Sequence, residues 1–504
     1  MVTTENQVSE LSDLSEPQPS GLGAQLRRSR PIDFNLNSEA YELTECVECL
    51  YHGGLRPHLV RSRDRGGSEK REVLNTLLCN LYLLNKADDR FWLSVPLSKN
   101  YFCKQPDRYI SSCFTDRSFP AVVHALAKVE LIEIHRGYLD RATGISRHTR
   151  IRATQRLLDL LEEEFGCCAY TVTERADAET VILRNSDKQL LGYDDTRYTN
   201  HARRCLNEIR EAVSSSNFNL RITDSQEKLL KQRIFDDENK LPVDFNRTGL
   251  VRIFNNGRFD HGGRYYRHWV QNIPKEYRRH VVLNGKPTVE IDFSAMHPMM
   301  LYAQAGQLLP DDPYVLDGFD VPNARGLCKK IFNTMVNAET KQTALASVAN
   351  DTLRGVSLPD RYRSPRLVMD ALLEKHRPIA AFLNSNVGVE LQHKDSEIAQ
   401  AVMLKLLDYN IVSIPVHDSF LVQHGYGDVL LDTMSQVFEG HIGVSASARG
   451  SRPLFSVVEN ADTDIGPVSQ CLRIDSIKNQ QENASSPYLN YEKRNVEYYE
   501  RMKA

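Results

Sequence analysis

The chain has 504 residues, of which 41% are hydrophobic and 26% charged, values typical of a globular protein with several domains. No apolar run approaches the ~18 residues that a membrane span needs, and the polar N-terminus lacks a secretory hydrophobic region. We therefore expect a cytoplasmic protein without membrane association. The net charge of −3 does not by itself indicate a nucleic-acid partner.

The N-terminal residues 1–35 are rich in Ser, Glu, Gln and Pro, a composition that predicts a disordered segment. Helices are then predicted at Glu42–Leu50 and Glu72–Leu84. Cys46 and Cys49 have the spacing of half a zinc site. No second Cys-x-x-Cys pair follows, so the sequence favours ordinary reduced thiols.

Residues 36–168 predict a winged helix-like DNA-binding domain. A short helix, Ser118–Val129, precedes a strand at Leu131–Ile134, a loop at Gly137–Ser146 and a second strand at His148–Arg152. Thr154 then caps a helix at Gln155–Phe165. This is the order of a helix, a two-stranded wing and a helix, and such a module places its helix in a major groove. The basic side chains on or near the wing are Arg136, Arg141, Arg147, Arg150 and Arg152.

Two alternatives remain for this region: a winged helix that binds protein, or an unrelated α+β packing. Positive charge favours DNA, because His135–Arg156 holds six arginines against one acid. The segment Asn246–Glu290 is also basic, with nine Lys or Arg against three acids. Either stretch alone would equally suit a solvated basic surface.

Residues 169–245 predict a mainly helical region, with one strand at Thr180–Arg184 and helices at Tyr198–Ser214 and Asp224–Phe235. Residues 461–504 form a polar tail with a predicted final helix at Tyr491–Met502.

A strand that ends in a carboxylate and turns into a helix lies at Val289–Tyr302. Val289, Ile291 and Phe293 alternate with Glu290 and Asp292, which predicts a half-buried strand, and helical spacing begins after Ser294. A second carboxylate, Asp418, lies at the tip of a predicted hairpin spanning Ile411–Val422. Two hard oxygen ligands from separate strands suit a pair of Mg²⁺ ions for phosphoryl transfer.

These two motifs, in this order, resemble the palm of family A DNA polymerases and of the single-subunit RNA polymerases. Val289–Tyr302 is similar to the first palm motif and Pro415–Val422 to the last. Gly257–Pro274 resembles the entry to the palm, and Gln392 with Asp395–Ala399 the helix before the last motif. The resemblance implies an α+β fold with an antiparallel palm sheet and helical fingers at residues 246–460, with residues 169–245 in the position of a thumb.

The resemblance implies that Asp292 and Asp418 bind two Mg²⁺ ions, with the carbonyl of Phe293 as a third ligand. His417 would position the primer end or support the turn, although a purely structural role is equally compatible. DNA template, primer and nucleoside triphosphates are the implied partners. The residues implied to contact template or primer are Arg258, Gln271, Arg278 and, on the minor-groove side, Gln392.

A fingers helix that grips the triphosphate is predicted at Asn323–Asn337. Arg325, Lys329 and Asn333 follow at i, i+4 spacing, so they share a face, and Phe332 is placed to stack on the base. Lys330 is a rival for the role of Lys329. The pattern departs from the family, which has Tyr-Gly after this helix where the chain has Asn337-Ala338. An ordinary basic surface helix is the alternative.

The preferred sugar is predicted from His297, five residues after Asp292. The DNA polymerases of the family place Glu there and the RNA polymerases Gly, so a bulky imidazole that collides with a 2′-hydroxyl favours deoxynucleotides. Ser419, which follows Asp418, is instead the RNA polymerase choice.

The sequence therefore predicts a DNA-directed DNA polymerase that uses Mg²⁺, in a role such as replication of a plasmid, phage or other mobile element. The first alternative is a DNA-binding initiator or transcriptional regulator with an inactive palm. The others are a single-subunit RNA polymerase or primase, and a metal-dependent nuclease that would have no use for Arg325 and Lys329.

Overall fold

The computed structural model describes residues 26–59, 67–139, 146–309, 311–443, 455–458 and 486–503. The chain forms two compact units that mix helices with sheets, in agreement with the predicted α+β class. The first unit comprises residues 1–101, 113–169 and 230–242, and the second residues 102–112, 170–229 and 243–504. Most of the predicted disordered segment, the wing loop with Arg141 and most of the polar tail lie outside the described residues.

The elements are numbered here in chain order. The helices are α1 Tyr41–Leu50, α2 Arg56–Leu59, α3 Ser68–Ala87, α4 Lys99–Phe102, α5 Ser118–Lys128, α6 Gln155–Asp159, α7 Arg197–Ser214, α8 Asp224–Asp236, α9 Lys275–Arg278, α10 Met296–Gln304, α11 Ala324–Asn337, α12 Lys341–Ser347, α13 Pro365–Lys375, α14 Gly388–Leu407, α15 Gly427–Ile442 and α16 Leu489–Arg501. The strands are β1 Ser29–Pro31, β2 Leu36–Asn37, β3 Trp92–Val95, β4 Ile132–His135, β5 Tyr138–Leu139, β6 Ser146–Arg147, β7 Thr149–Ala153, β8 Thr173–Glu174, β9 Val181–Leu183, β10 Phe218–Leu220, β11 Val251–Phe254, β12 Gly262–Tyr266, β13 Val281–Leu283, β14 Lys286–Phe293, β15 Ser413–Val416, β16 Ser419–Gln423 and β17 Phe455–Val458. Across the described parts of the chain, no helix is both long and apolar enough to traverse a bilayer.

The first unit contains a four-stranded sheet in the order β1-β3-β7-β4. Helices α3 and α5 bury their apolar faces, including Val73 and Leu77 of α3 and Val122 and Leu126 of α5. The predicted order of helix, two strands and helix is present as α5, β4, β7 and α6, with the short pair β5 and β6 between the strands. The winged-helix interpretation of this arrangement stays a prediction.

The structure differs from the predicted disorder over residues 26–35. Strand β1 pairs in parallel with β3, and the side chain of Arg30 is buried there. Three residues are too few to produce a periodic pattern, and this strand is stabilised by the neighbouring strand of the sheet rather than by its own composition.

The second unit is built on an antiparallel sheet in the order β10-β13-β14-β16-β15, with β17 also paired to β14. The long strand β14 lies in the interior of this sheet. Side chains on both of its faces are buried, among them Val289, Glu290 and Ile291. Helices α14 and α15 follow in the chain and bury Leu391, Val402, Leu430 and Met434 in the core.

Residues 169–245 do not form the separate helical region that the sequence predicts. Strand β9 pairs in parallel with β11, and β10 pairs with β13, so two strands from this segment extend sheets of the second unit. The predicted helices are present as α7 and α8. The predicted strand at Thr180–Arg184 is present as β9, whereas β10 was missed because it has only three residues and is stabilised by long-range pairing.

A buried arginine network joins β11 to α14 and to β12. Arg252 is fully buried and donates to Gln400 at 2.8 Å, Ser396 at 3.0 Å and the Gly263 carbonyl at 2.9 Å, and it forms an ion pair with Glu397. A side chain at Gly263, whose φ is +85°, would lie 2.9 Å from the Ser396 hydroxyl, so the close contact of strand and helix requires glycine. The network fixes the position of α14, which carries Asp395.

The predicted C-terminal helix is present as α16 and covers the edge strand β10. Arg494 donates to the side chain of Asn219 at 2.7 Å and forms an ion pair with Glu227 at 2.7 Å. Its guanidinium also lies 4.1 Å from the centroid of the Phe245 ring. Covering an edge strand in this way blocks unwanted strand pairing.

Candidate active site

Two carboxylates meet at one end of the central sheet. Strands β14 and β16 are antiparallel with Asp292 opposite Ser419, and Asp418 lies in the two-residue turn between β15 and β16. The N–H of Phe293 donates to the carbonyl of Asp418 at 3.3 Å. Asp292, at the end of one strand, and Asp418, in the turn that precedes the adjacent strand, are therefore neighbours although they are 126 positions apart in the chain, as the metal-site prediction requires.

The environment of Asp292 disfavours its negative charge. Burial and the nearby charge of Asp418 raise its pKa from 3.8 to about 7, against the opposing effects of Lys329 and Lys275. Its Oδ1 is buried and has no hydrogen-bond partner. Two mutually repelling carboxylates with an unsatisfied oxygen form an arrangement that a bound cation would stabilise.

The residues at this point fit divalent metal ions. Asp292 and Asp418 would supply carboxylate oxygens, and the resemblance adds the Phe293 carbonyl as a third donor. Neither here nor elsewhere do the described residues contain a cluster of three or more His, Cys, Asp or Glu side chains that could hold a metal ion, and this includes the region of Cys46 and Cys49. The fit at the sheet therefore depends on two side chains and main-chain oxygen.

The raised pKa of Asp292 predicts that stability without divalent cations falls as the pH rises. The folded state holds the Asp292 proton up to pH ~7 and the unfolded state only to pH ~4, so the contribution of that proton to stability is lost between these values. The Asp292→Asn variant should therefore gain stability relative to wild type from pH 5 to pH 8, by an amount on the order of a few kcal/mol.

Urea unfolding in EDTA at several pH values measures this difference. Added Mg²⁺ should restore the stability of the wild type at pH 8 and leave the Asp292→Asn variant nearly unchanged, because ligand binding stabilises only a folded state with the site. Parallel curves for the two proteins would contradict the assignment of Asp292.

A third carboxylate, Glu290, lies on the same face of β14 but is neutralised within the protein. Burial alone would raise its pKa, but Arg278 and Ser419 hold the pKa below its usual value. Arg278 donates to both carboxylate oxygens, at 3.0 and 2.9 Å, and the Ser419 hydroxyl donates at 2.8 Å. Arg278, predicted to contact nucleic acid, is thus occupied by this ion pair. In the sequence, the alternation of Glu290 and Asp292 with apolar residues was the signal that both carboxylates lie on the same face of the strand.

Helix α11 brings positive charge to the two carboxylates. Lys329 lies close enough to lower the pKa of Asp292, and it forms no ion pair with any described residue. Arg325 is half exposed and forms an ion pair with Asp312 at 2.8 Å. Both cations lie over the ring of Tyr314, at 5.9 Å for Lys329 Nζ and 5.3 Å for Arg325 Cζ. The predicted shared face of Arg325 and Lys329 is present.

The structure assigns different roles to the other residues of this helix. Lys330 points its ammonium to the carbonyl of Asp351 at 3.1 Å, so Lys329 rather than Lys330 faces the site. Phe332 is fully buried against Tyr314 and His376, which does not fit the predicted stacking on a base. Asn333 is half buried on the same helix. The helical periodicity of the sequence placed Phe332 near the face of α11 that carries Arg325, but it could not show that Tyr314 packs against the Phe332 ring.

Several of the predicted nucleic-acid contacts are engaged in internal contacts. The Gln271 amide donates to the carbonyls of Tyr265 and Pro415, at 3.0 and 2.7 Å, and so supports the hairpin that carries Asp418. Arg258 is exposed and pairs with Asp260, and Gln392 is half buried on α14. His417 has an exposed side chain and a φ of +60°, the left-handed conformation at the first position of the turn.

His297 is held by residues that the sequence did not assign to the site. Its Nε2 lies 3.0 Å from Oδ2 of Asp395, a buried residue of α14. Asp395 also receives Arg264, whose Nε lies 3.1 Å from both carboxylate oxygens. The signal available in the sequence was an aspartate, Asp395, within a helix that is otherwise apolar on its buried side. Its partners Arg264 and His297 could not be identified because they lie far away in the chain.

The predicted basic residues of the first unit differ in accessibility. Arg136 and Arg147 are exposed beside the short β5–β6 pair. Arg150 is buried and donates to the carbonyl of His148 at 2.7 Å. Arg152 lies 4.4 Å from the Trp92 ring and pairs with Glu133. Arg136 and Arg147 are therefore better placed than Arg150 for contact with phosphate.

Comparisons with known proteins show only a distant likeness. No protein-family model and no curated protein matches the chain. A solved structure, the POL domain of Pol1 from M. smegmatis in complex with DNA primer-template and dNTP, is similar with a TM-score of 0.29 and 13% sequence identity. The match covers 46% of this chain and 51% of that chain, about half of each. A TM-score of 0.29 is too low for this likeness to support an inference about function.

Proposed function

We propose that the chain is a template-directed nucleotidyltransferase, a DNA polymerase that extends a primer with deoxynucleoside triphosphates. The observation that carries the proposal is the pair formed by Asp292, at the end of β14, and Asp418, in the β15–β16 turn, with the cation Lys329 close enough to act on Asp292. Carboxylates that gather metal ions, opposed by a cation for the triphosphate, are the groups that nucleotidyl transfer needs.

Each group in the site has a role in this reaction. When bound, Mg²⁺ supplies Lewis-acid activation of the attacking hydroxyl and neutralises charge on the leaving group. Asp292 and Asp418 hold the ions, and Lys329 balances negative charge that develops on the leaving diphosphate. Glu290, Arg278 and Gln271 keep the strand and the hairpin in position rather than contacting substrate.

Two of the alternatives make different use of these residues. A metal-dependent nuclease would use both carboxylates but would have no need for a cation opposite them, so Lys329 favours transfer over hydrolysis. An initiator or regulator with an inactive palm would not need an unsatisfied carboxylate oxygen at Asp292. An RNA polymerase or primase would share the site and differ in its sugar preference.

Extension of a labelled primer on a DNA template tests the proposal. The full chain is incubated with Mg²⁺ and with either deoxynucleotides or ribonucleotides, and the products are resolved by length. We expect template-dependent addition of deoxynucleotides. Degradation of the primer without extension would support a nuclease, and addition of ribonucleotides alone would support an RNA polymerase or primase. Binding without any reaction would support an initiator or regulator.

The exposed arginines of the first unit are expected to bind duplex DNA independently of catalysis. The double change Arg136→Ala/Arg147→Ala should weaken binding of the full chain and reduce its salt dependence by about 0.9 in log–log slope for each lost phosphate contact. Fluorescence anisotropy with a labelled duplex at several salt concentrations measures both quantities.

The control for this change is Arg366→Ala/Arg377→Ala, which removes two exposed arginines of the other unit, with side chains 70% and 83% exposed. It should leave binding nearly unchanged. Equal losses for both double variants would indicate a general charge effect and contradict a DNA-binding role for the predicted wing.

A further inference from the structure

Two buried thiols of the first unit are hydrogen-bonded to each other. Cys46 lies on the buried side of α1 and is fully buried, and Cys167, 121 positions later in the chain, is 6% exposed. Helix α1 packs against the turn at Leu160–Glu164 that precedes Cys167. Both residues are free thiols, and a hydrogen bond joins their side chains. A disulfide needs two cysteines whose side chains point at each other, and a thiol–thiol hydrogen bond provides this arrangement.

The main chain around Cys167 is held in place on two sides. The N–H of Cys167 donates to the carbonyl of Leu161 at 2.7 Å, and the hydroxyl of Tyr82 donates to the carbonyl of Cys167 at 2.9 Å. Tyr82 belongs to α3 and is itself buried. The segment is therefore fixed both to α3 and to the turn before it, so the contact of Cys167 with Cys46 follows from the packing of the unit.

A third thiol nearby, Cys79, has a different partner. It is fully buried on α3, where burial and the charge of Cys167 raise its pKa. Its Sγ donates to Oδ1 of Asn75 at 3.4 Å. A structural zinc ion needs four ligands, and no part of the chain that the structure describes holds even three His, Cys, Asp or Glu side chains grouped for a metal. The contact between Cys46 and Cys167 therefore suits a bond between the two sulfurs rather than a metal site.

The hydrogen bond makes the two thiols chemically unequal. Cys46 donates to the sulfur of Cys167, which lowers the pKa of the Cys167 thiol against the opposing effects of burial and of Glu42. The same hydrogen bond, together with burial, raises the pKa of Cys46. The thiolate is the form of cysteine that reacts with oxidants. Cys167 is also the more accessible of the two, so it is the sulfur that an oxidant meets first.

We propose that Cys46 and Cys167 are a redox-sensitive pair that forms a reversible disulfide when the protein meets hydrogen peroxide. The Cys167 sulfur attacks one peroxide oxygen, the O–O bond breaks, and Cys167 becomes a sulfenic acid while the other oxygen leaves as water with the Cys167 proton. The Cys46 sulfur then attacks the Cys167 sulfur, and the hydroxyl leaves as a second water with the Cys46 proton. Two thiols are oxidised to one disulfide, and one peroxide is reduced to two waters.

The disulfide would tie α1 to the segment through which the chain leaves the first unit at residue 169. It closes a loop of 121 residues in the unfolded chain, and such a constraint favours the folded unit. Thiol–disulfide exchange with a reducing dithiol reverses it. The inference concerns the first unit and goes beyond the proposed function, because it does not depend on nucleotidyl transfer.

Peptide mapping of the full chain tests the proposal. The reduced protein is treated with a small excess of hydrogen peroxide, its remaining thiols are alkylated, and it is digested with trypsin without reduction. We expect a crosslinked pair of peptides, one with Cys46 and one with Cys167, that dithiothreitol separates. The exposed thiol of Cys103 reports whether the peroxide was effective. Oxidation of Cys103 without this crosslink would overturn the proposal.

Variants at the neighbouring thiols identify the two sulfurs. The double change Cys49→Ser/Cys168→Ser removes the cysteine that shares a tryptic peptide with each of them, and Cys79→Ala removes the third buried thiol. The crosslink should form to the same extent in both variants. Its loss in either one would show that a neighbouring thiol forms the bond and would overturn the assignment to Cys46 and Cys167.

The order of attack is tested by removing one thiol at a time. Cys46→Ala should abolish the crosslink and leave Cys167 as a sulfenic acid that dimedone labels, whereas Cys167→Ala should abolish both the crosslink and the label. Dimedone labelling of Cys46 in the Cys167→Ala variant would overturn the role of Cys167 as the first sulfur to react. Thermal melting of each variant checks that it is folded, and the crosslink in the wild type tests the pair without any substitution.

Discussion

Replacement of Asp418 by Asn, or of Asp292 by Asn, is expected to reduce nucleotide incorporation by roughly 10³-fold or more, because removal of one fixed electrostatic group typically costs 10²–10³ and here a metal ligand is lost as well. Asp292 at the end of β14 is a neighbour of Asp418 in the β15–β16 turn. Glu290, a further carboxylate on the same face of β14, is bound to Arg278 and Ser419 and cannot replace either of them. Single-turnover primer extension at saturating Mg²⁺ measures the loss.

The matched control is Asp408→Asn, at the exposed end of α14. It removes the same charge from the surface of the same unit and should leave incorporation unchanged. DNA binding should be retained in the two site variants, and their thermal stability should not fall below that of the wild type. Incorporation that survives Asp418→Asn, or is lost only in step with folding, would exclude Asp418 as a ligand and with it the proposed site.

Replacement of Lys329 by Ala should lower kcat/KM for the nucleotide by about 10²-fold, the typical effect of removing one preorganised charge from a reaction centre. Lys329 has the larger effect of the two lysines, Lys329 and Lys275, that lower the pKa of Asp292, and no described residue forms an ion pair with Lys329. The decrease in kcat/KM for the nucleoside triphosphate should be larger than the decrease in affinity for the primer–template, because the charge of Lys329 lies near the carboxylates. Steady-state kinetics with varied nucleotide concentration separates the two effects.

Lys330→Ala provides the control at the adjacent position of the same helix. Its ammonium contacts the carbonyl of Asp351, so its removal should change kcat/KM by less than about 3-fold, the cost of one weak surface contact. Equal losses for Lys329→Ala and Lys330→Ala would show that α11 contributes only general positive charge. A larger loss for Lys330→Ala would reverse the assignment of the two lysines.

The local periodicity of the sequence was sufficient to predict the strands and helices that carry the site. Strand β14 with α10, the β15–β16 hairpin and helix α11 were all predicted close to their observed bounds. Apolar residues alternate along β14 and recur at helical spacing in α11, and these patterns depend only on neighbours within a few residues. The order of the two aspartates and the cationic face of α11 followed from the same local information.

Elements whose stability depends on distant partners were missed or assigned wrongly. Strands β1 and β10, which were missed, have three residues each and exist because a neighbouring strand completes their hydrogen bonds. The predicted disorder at residues 29–31 and the predicted helical region at residues 169–245 failed for this one reason. A composition average cannot show that a short segment meets a sheet edge.

Local sequence patterns were enough to predict the candidate residues for charge and metal binding near the proposed reaction centre, namely Asp292, Asp418, His297 and either Lys329 or Lys330. The choice between the two lysines, and the partners that restrain each side chain, depend on the folded structure. Arg264 and Asp395 are 131 residues apart, and His297 and Asp395 are 98 apart. Their pairing depends on how α14 packs on β12, and no spacing within a single element encodes it. An ion pair forms between whichever opposite charges the fold brings together. Arg278 was therefore predicted from the sequence to contact nucleic acid, whereas in the structure it forms an internal ion pair with Glu290.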